Sequence, residues 1–304
     1  SITIDTNASG NSADLTIAAI TGGSNNLTLS TGDNVAGADI TASGAISGLG
    51  NLTLADVGGT ATFSANVAAA ALSADSTVAN IAFTGSSNTF SAAASLANDG
   101  TLIFGNSTDD SFTFNGGLTT SDVGGTVTLN TSISTSNDAL VFGAITLGNN
   151  ITLDTNATNT TGDLTIGAVT GGSNTLTLTT ENNIANADIT ASGNISGVTT
   201  LTLQNVGGTA TFAGDVDVTT LTVGNTVANV ALNGDGSTVT NTVSFAKDGT
   251  LQLADATGDT LTFNGGLDTS DVGGTVTLNG TIDTSNDAVT FGAVTLGSAT
   301  TIDT

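Results

Sequence analysis

Cysteine, proline, methionine, histidine, tyrosine and tryptophan are all missing from this chain, and its 304 residues include a single cation, Lys247. Each absence narrows the field. Without cysteine there is no disulfide and no thiolate chemistry, so stability has to come from backbone ladders and an apolar core. Without His, Cys or Tyr, a general base or covalent nucleophile would have to be built from carboxylates and hydroxyls alone. A membrane-spanning β-barrel is disfavoured, because its aromatic girdles need Tyr and Trp. The missing proline points the same way as the glycine content of 40 residues. A backbone whose N–H groups are nearly all committed to ladders has no place for a residue that lacks one. The missing cations leave a formal net charge of −25, carried by 25 Asp and Glu181. Such a surface repels phosphate backbones and anionic headgroups, so neither nucleic-acid binding nor membrane insertion is expected. No signal peptide, transmembrane run or initiating Met is visible, and the start at Ser1 in mid-pattern suggests a window cut from a longer array.

What is there is repetition. A shift of 149 residues aligns the chain with itself without a gap, and about 88 of the 149 aligned pairs are identical. Ser121–Asn130 recurs unchanged at Ser270–Asn279, and Thr301-Ile302-Asp303-Thr304 repeats Thr3-Ile4-Asp5-Thr6. The domain reading is therefore residues 1–150 as a first repeat unit, 151–299 as a second, and 300–304 as the start of a third. A finer beat of roughly 25 residues runs inside each unit. Apolar-Thr-apolar triplets stand at Ile2-Thr3-Ile4, Leu27-Thr28-Leu29, Leu52-Thr53-Leu54, Val127-Thr128-Leu129 and Ile151-Thr152-Leu153, with Leu102-Ile103-Phe104 between them and the weakest slot near Thr77-Val78-Ala79. That spacing predicts about six rungs per unit. A second series, including Leu15-Thr16-Ile17, Ala61-Thr62-Phe63 and Phe112-Thr113-Phe114, gives each rung at least two strands.

Strict alternation, as in Thr175-Leu176-Thr177-Leu178-Thr179, is the period of a strand with one face in a core and one in water. No segment keeps a helical period. Gly-Gly and Asx clusters punctuate the strands, as at Val57-Gly58-Gly59-Thr60 and Ser136-Asn137-Asp138, where glycine tolerates positive φ and Asx side chains satisfy local backbone groups. Propeller blades repeat at about 40 to 50 residues, which the finer beat does not match. The fold class is all-β, a parallel β-solenoid of about 25 residues per rung and about 12 rungs, roughly 58 Å long at the usual inter-strand spacing. Leu27, Leu29, Leu52, Leu54, Leu102, Phe104, Val127 and Leu129 should point inward and stack in columns, because a rung of that length returns each to the same azimuth.

The acidic residues have a plain explanation as turn formers and solubilising charges. Calcium is the cofactor that so many carboxylates would suit, yet no Gly-Gly-x-Gly-x-Asp repeat or EF-hand loop is present. Asp109-Asp110 is the only adjacent carboxylate pair, and its counterpart is Gly258-Asp259, so no cofactor, metal site or catalytic residue is assigned. Outward Thr-x-Thr ranks such as Thr126 with Thr128 would suit an ice-binding solenoid, but Thr is a good exposed strand residue and Ile103 and Gln252 interrupt the column. Asn-x-Ser/Thr triplets, such as Asn26-Leu27-Thr28, match the glycosylation acceptor pattern, and in a chain this rich in Asn, Ser and Thr many arise by composition.

The run Asp163–Gly172, continuing through Asn174-Thr175-Leu176-Thr177-Leu178 and Ala187–Gly197, resembles the passenger repeats of filamentous-haemagglutinin-like adhesins and autotransporters, bacterial giant surface repeat proteins. The resemblance implies a right-handed parallel β-helix, export across a bacterial envelope, and an extracellular or cell-surface stalk. It carries no binding residues over, because the family pattern is a scaffold pattern. The functional expectation is a structural repeat segment of a secreted or surface fibre or extracellular filament, with copies of itself as partners, end to end or within a longer chain. An adhesin that binds a cell-surface or glycan ligand through a lateral face is the alternative, and a carbohydrate-active β-helix enzyme working through paired Asp is a remote one. Ser64–Asp109 diverges most from its partner at Ala213–Gly258, which marks it as the stretch where a ligand patch would be sought.

Overall fold

A computed structural model describes residues 1–158 and 162–304. It is all β, a parallel β-solenoid of about 14 turns with about 21 residues to the turn, close to the size and number read from the triplets. The chain divides into two compact units, Ser1–Asn150 and Ile151–Thr304, at the boundary the long repeat marks.

In the first unit every coil lays down three short strands, and each strand pairs in parallel with the one a coil further on. Ile2–Asp5, Leu27–Ser30 and the second half of Ile46–Ala55 begin one face, which runs on through Leu72, Ala94, Leu118 and Leu140. Leu15, Ile40, Ala61, Ile81, Leu102, Val127 and Ile145 stack on a second. The third carries Ile20, Ile46, Val67, Asn88, Phe112 and Ile133. The alternation decides which side is buried: in Leu27–Ser30 and Leu102–Phe104 Leu27, Leu29, Leu102 and Phe104 are inside while the intervening Thr28 and Ile103 are half-exposed. All eight residues expected to point inward do so. They lie on two different faces, however. Leu27 and Leu52 lie on the first face, Leu102 and Val127 on the second. The reason is that the coils between are shorter: the second face advances by 25, 21, 20, 21, 25 and 18 residues, so a fixed 25-residue stride slips from one face to the next.

The second unit follows the same scheme with its own coils. Leu164, Ile189, Ala210, Val230, Leu251, Val276 and Val294 form its second face, the counterparts of Leu15 to Ile145. Here one full sequence period can be followed inside a single unit. Asp154 pairs with Thr179 on the first face. Asp303, 149 residues later, pairs with Asp283 on the third, in a column that descends through Thr262, Thr238 and Asp217 to Ser196 and Thr170. The period therefore spans twenty strand segments at three to the coil, six turns and two thirds, not a whole number of rungs.

Glycine and Asx residues work differently at different corners. Asn137 has φ 75°, as a turn residue should. Gly58 and Gly59 do not have positive φ; the adjoining coil passes so close that a Cβ on Gly58 would lie 2.2 Å from the Val35 carbonyl oxygen, and one on Gly59 2.1 Å from Asp39 Oδ1. That close approach, repeated at Gly207 and Gly208, accounts for the Val-Gly-Gly-Thr motif.

Candidate functional surface

The carboxylates the sequence left open as catalytic or metal-binding groups are engaged mainly with backbone. Asp14 Oδ1 accepts the Asp39 N–H at 3.0 Å, and Asp39 Oδ1 accepts the Thr60 N–H at 2.7 Å, so that each closes the first open donor of the strand one coil on. Asp163 and Asp188 repeat the pair with Asp188 and Thr209. Asp110, the buried half of the only adjacent pair, accepts the N–H groups of Asn106 and Ser107, and Asp259 does the same with Asp255 and Ala256. The feature that distinguished Asp109-Asp110 in sequence is thus a turn device present in both units. Among the described residues no group of three or more Asp, Glu, His or Cys is placed to hold a metal ion. Burial raises the Asp154 carboxyl above its ordinary value, against the lowering hydrogen bond from the Asn156 N–H, and the charge of Glu181 raises it further.

Lys247 is the residue sequence reasoning left without a role. It is buried, 2 % exposed, and its Nζ donates to the carbonyl oxygens of Ala228 and Thr250 at 2.8 and 2.6 Å. Burial pulls its ammonium down to about 8, partly offset by Asp248. Asn98, its counterpart in the first unit, donates from Nδ2 to Ala79, Gly100 and Thr101 carbonyl oxygens. The amine and the amide therefore serve one purpose, satisfying carbonyls turned inward at a corner. The pairing of Lys247 with Asn98 in the 149-residue alignment was the available signal.

Ser64–Asp109 proves to be divergent in its interior. Only 16 of its 46 pairs with Ala213–Gly258 are identical. Phe83, Phe90 and Phe104 become Leu232, Val239 and Leu253, while Ala69, Ala74, Ala94 and Leu96 become Val218, Val223, Val243 and Phe245, all of them buried. Losses of volume are set against gains nearby, the kind of exchange a close-packed core tolerates. In the first unit the phenylalanines stack between coils, Phe63 on Phe83 at 4.9 Å and Phe90 on Phe114 at 5.1 Å, with Phe104 edge-on to Phe112 at 5.3 Å. Buried Asn88 is likewise replaced by buried Ser237, and each accepts the same N–H, that of Val67 or Val216.

Two open grooves mark the second unit. One, about 390 Å³, is lined by Asn183, Asn225, Thr226 and Asp248 with Gly207, Val227 and Ala228. It borders a turn in which Glu181, Asn182 and Asn183 all have positive φ, at 53°, 46° and 49°. The larger, about 540 Å³, lies where Ile195–Gln204 bulges at Gly197 and is lined by Ser173, Thr199, Asp217, Thr219, Thr238 and Thr240, with the buried Val198 and Val218 beneath. Outward threonines form ranks beside it on the first face, Thr175, Thr200 and Thr220 next to Thr177, Thr202 and Thr222. No family model, no curated protein and no solved structure matches the chain.

Proposed function

We propose that this chain is a structural repeat segment of a secreted or cell-surface fibre or extracellular filament, with further copies of the same unit as its partners, whether joined by peptide bond or stacked end to end. The supporting observation is that polar side chains are engaged at corresponding positions of both units in holding the scaffold together: Asp39 and Asp188, and Asn98 and Lys247, join one coil to the next, while Asp110 and Asp259 tie down a turn. A solenoid built this way gains length by adding coils and keeps one cross-section. The absence of cysteine is compatible with export as an unfolded chain, where a disulfide would obstruct threading. We assign the chain no catalytic role and no cofactor, since carboxylates such as Asp39, Asp110, Asp188 and Asp259 are engaged with backbone N–H groups and the sequence has no His, Cys or Tyr.

The deciding experiment is an image of the native assembly by cryo-electron microscopy. A fibre with a layer spacing of about 4.8 Å along its axis supports the reading. Discrete globular particles confined to the cell interior would overturn it. A lateral recognition role is the second reading, and the larger groove of the second unit is the observation that favours it.

A further inference from the structure

The larger groove is a place where the two units differ in surface chemistry. Its residues Thr199, Asp217 and Thr219 stand where the first unit has Gly50, Ala68 and Ala70. The frame is unchanged by these substitutions: Asp217 pairs with Thr238 as Ala68 pairs with Thr89, and the bulge before Val198 matches the one before Leu49. The fold therefore does not require the two hydroxyls and the carboxylate. All three were added, or kept, around one depression. The remaining polar positions, Ser173, Thr238 and Thr240, carry hydroxyls in both units, as Ser24, Thr89 and Ser91.

We propose that this groove binds a neutral carbohydrate. Asp217 is its one charged group. Asp217 Oδ1 accepts the Thr238 N–H at 3.1 Å, which holds the carboxylate by one oxygen and leaves Oδ2 to accept from a ligand. Among the described residues the Thr219, Thr238 and Thr240 hydroxyls make no side-chain hydrogen bond within the chain, while Thr199 Oγ1 donates to the Asn174 carbonyl oxygen and keeps lone pairs to accept. A fixed acceptor beside hydroxyls that both donate and accept is matched by a vicinal diol, which does the same. Anionic sugars are selected against by a net charge of −25 and by Asp217 itself. A divalent cation finds only one carboxylate in the groove. The proposal is independent of the filament reading, since a rod may carry the groove or lack it.

The test is a glycan array probed with the full chain, followed by NMR titration of the neutral oligosaccharides that are retained. The expected result is retention of at least one neutral oligosaccharide, with affinity reduced at least tenfold in D217A/T219A, which installs the alanines the first unit has at these positions. T219A alone, a milder change, should weaken binding severalfold, and thermal melts of both variants should match the parent. No neutral oligosaccharide retained, retention of sulfated or sialylated glycans only, or binding unaltered in both variants would each overturn the proposal.

Discussion

At the scale of single residues, two kinds of buried position make opposite predictions. Leu54 is fully buried between Leu29 and Ala74, with the chain's only cation held far along the sequence in other bonds. Leu54→Asp places a carboxylate there without a partner and should cost more than about 4 kcal/mol, read as a lowered denaturant midpoint or as failure to fold. Lys247 is polar and buried, but satisfied. Lys247→Met leaves the Ala228 and Thr250 carbonyls open and should cost about 1–3 kcal/mol. Lys247→Asn, which copies Asn98, should cost far less. The amine also sets a pH dependence. Its pKa is about 8 in the folded chain against 10.5 for an exposed lysine, so the folded state releases the proton first. Between those values the unfolded chain binds more protons, and the stability gradient is positive. Stability should therefore rise as pH goes from about 8 to 10.5, and Lys247→Asn should flatten that rise in urea titrations; an unchanged slope would remove the lysine as its source.

At the scale of strands and coils, the inner and outer sides of each strand were legible in the sequence because a period of two is a local property. Leu102-Ile103-Phe104 shows its buried ends without any knowledge of its neighbours. Register was not legible to the same extent. The step from Leu52 to Leu72 is 20 residues where that from Leu27 to Leu52 is 25, and only the hydrogen-bonded partner reveals which corner was shortened. The groove escaped for a related reason: Ser173, Thr199, Asp217 and Thr240 come from four successive coils and share no sequence pattern. Core exchange gives a prediction at this level. Phe83→Ala removes a ring that contacts Phe63, Phe90, Phe104 and Phe112, and should cost about 3–5 kcal/mol. Replacing residues 64–109 as a block by 213–258 changes Phe83, Phe90 and Phe104 together with the alanines that become valines, so the chimaera should unfold at a higher urea concentration than the single variant. A chimaera less stable than Phe83→Ala would mean that the volumes do not compensate.

At the scale of the whole molecule, charge dominates. With −25 on the chain and a single lysine to offset it, self-repulsion is the main electrostatic cost, and raising salt from about 10 to 150 mM should raise the melting temperature by screening it. A chelator should leave that temperature unchanged; a large fall restored by calcium would show that the Asx corners hold ions. The long period was visible from sequence alone, but its relation to the coil was not, since it depends on where Asp303 stacks. One period is twenty strands and a coil is three, so the same words, Thr-Ile-Asp-Thr near Asp303 and Thr-Leu-Asp-Thr near Asp154, are read on different faces. Duplication in such a gene never had to preserve whole coils. The 149-residue repeat ends two thirds of the way round a coil, so what a copy has to match at its junction is a strand on one of three faces, and closure of a full coil is not a condition on the length of the repeat.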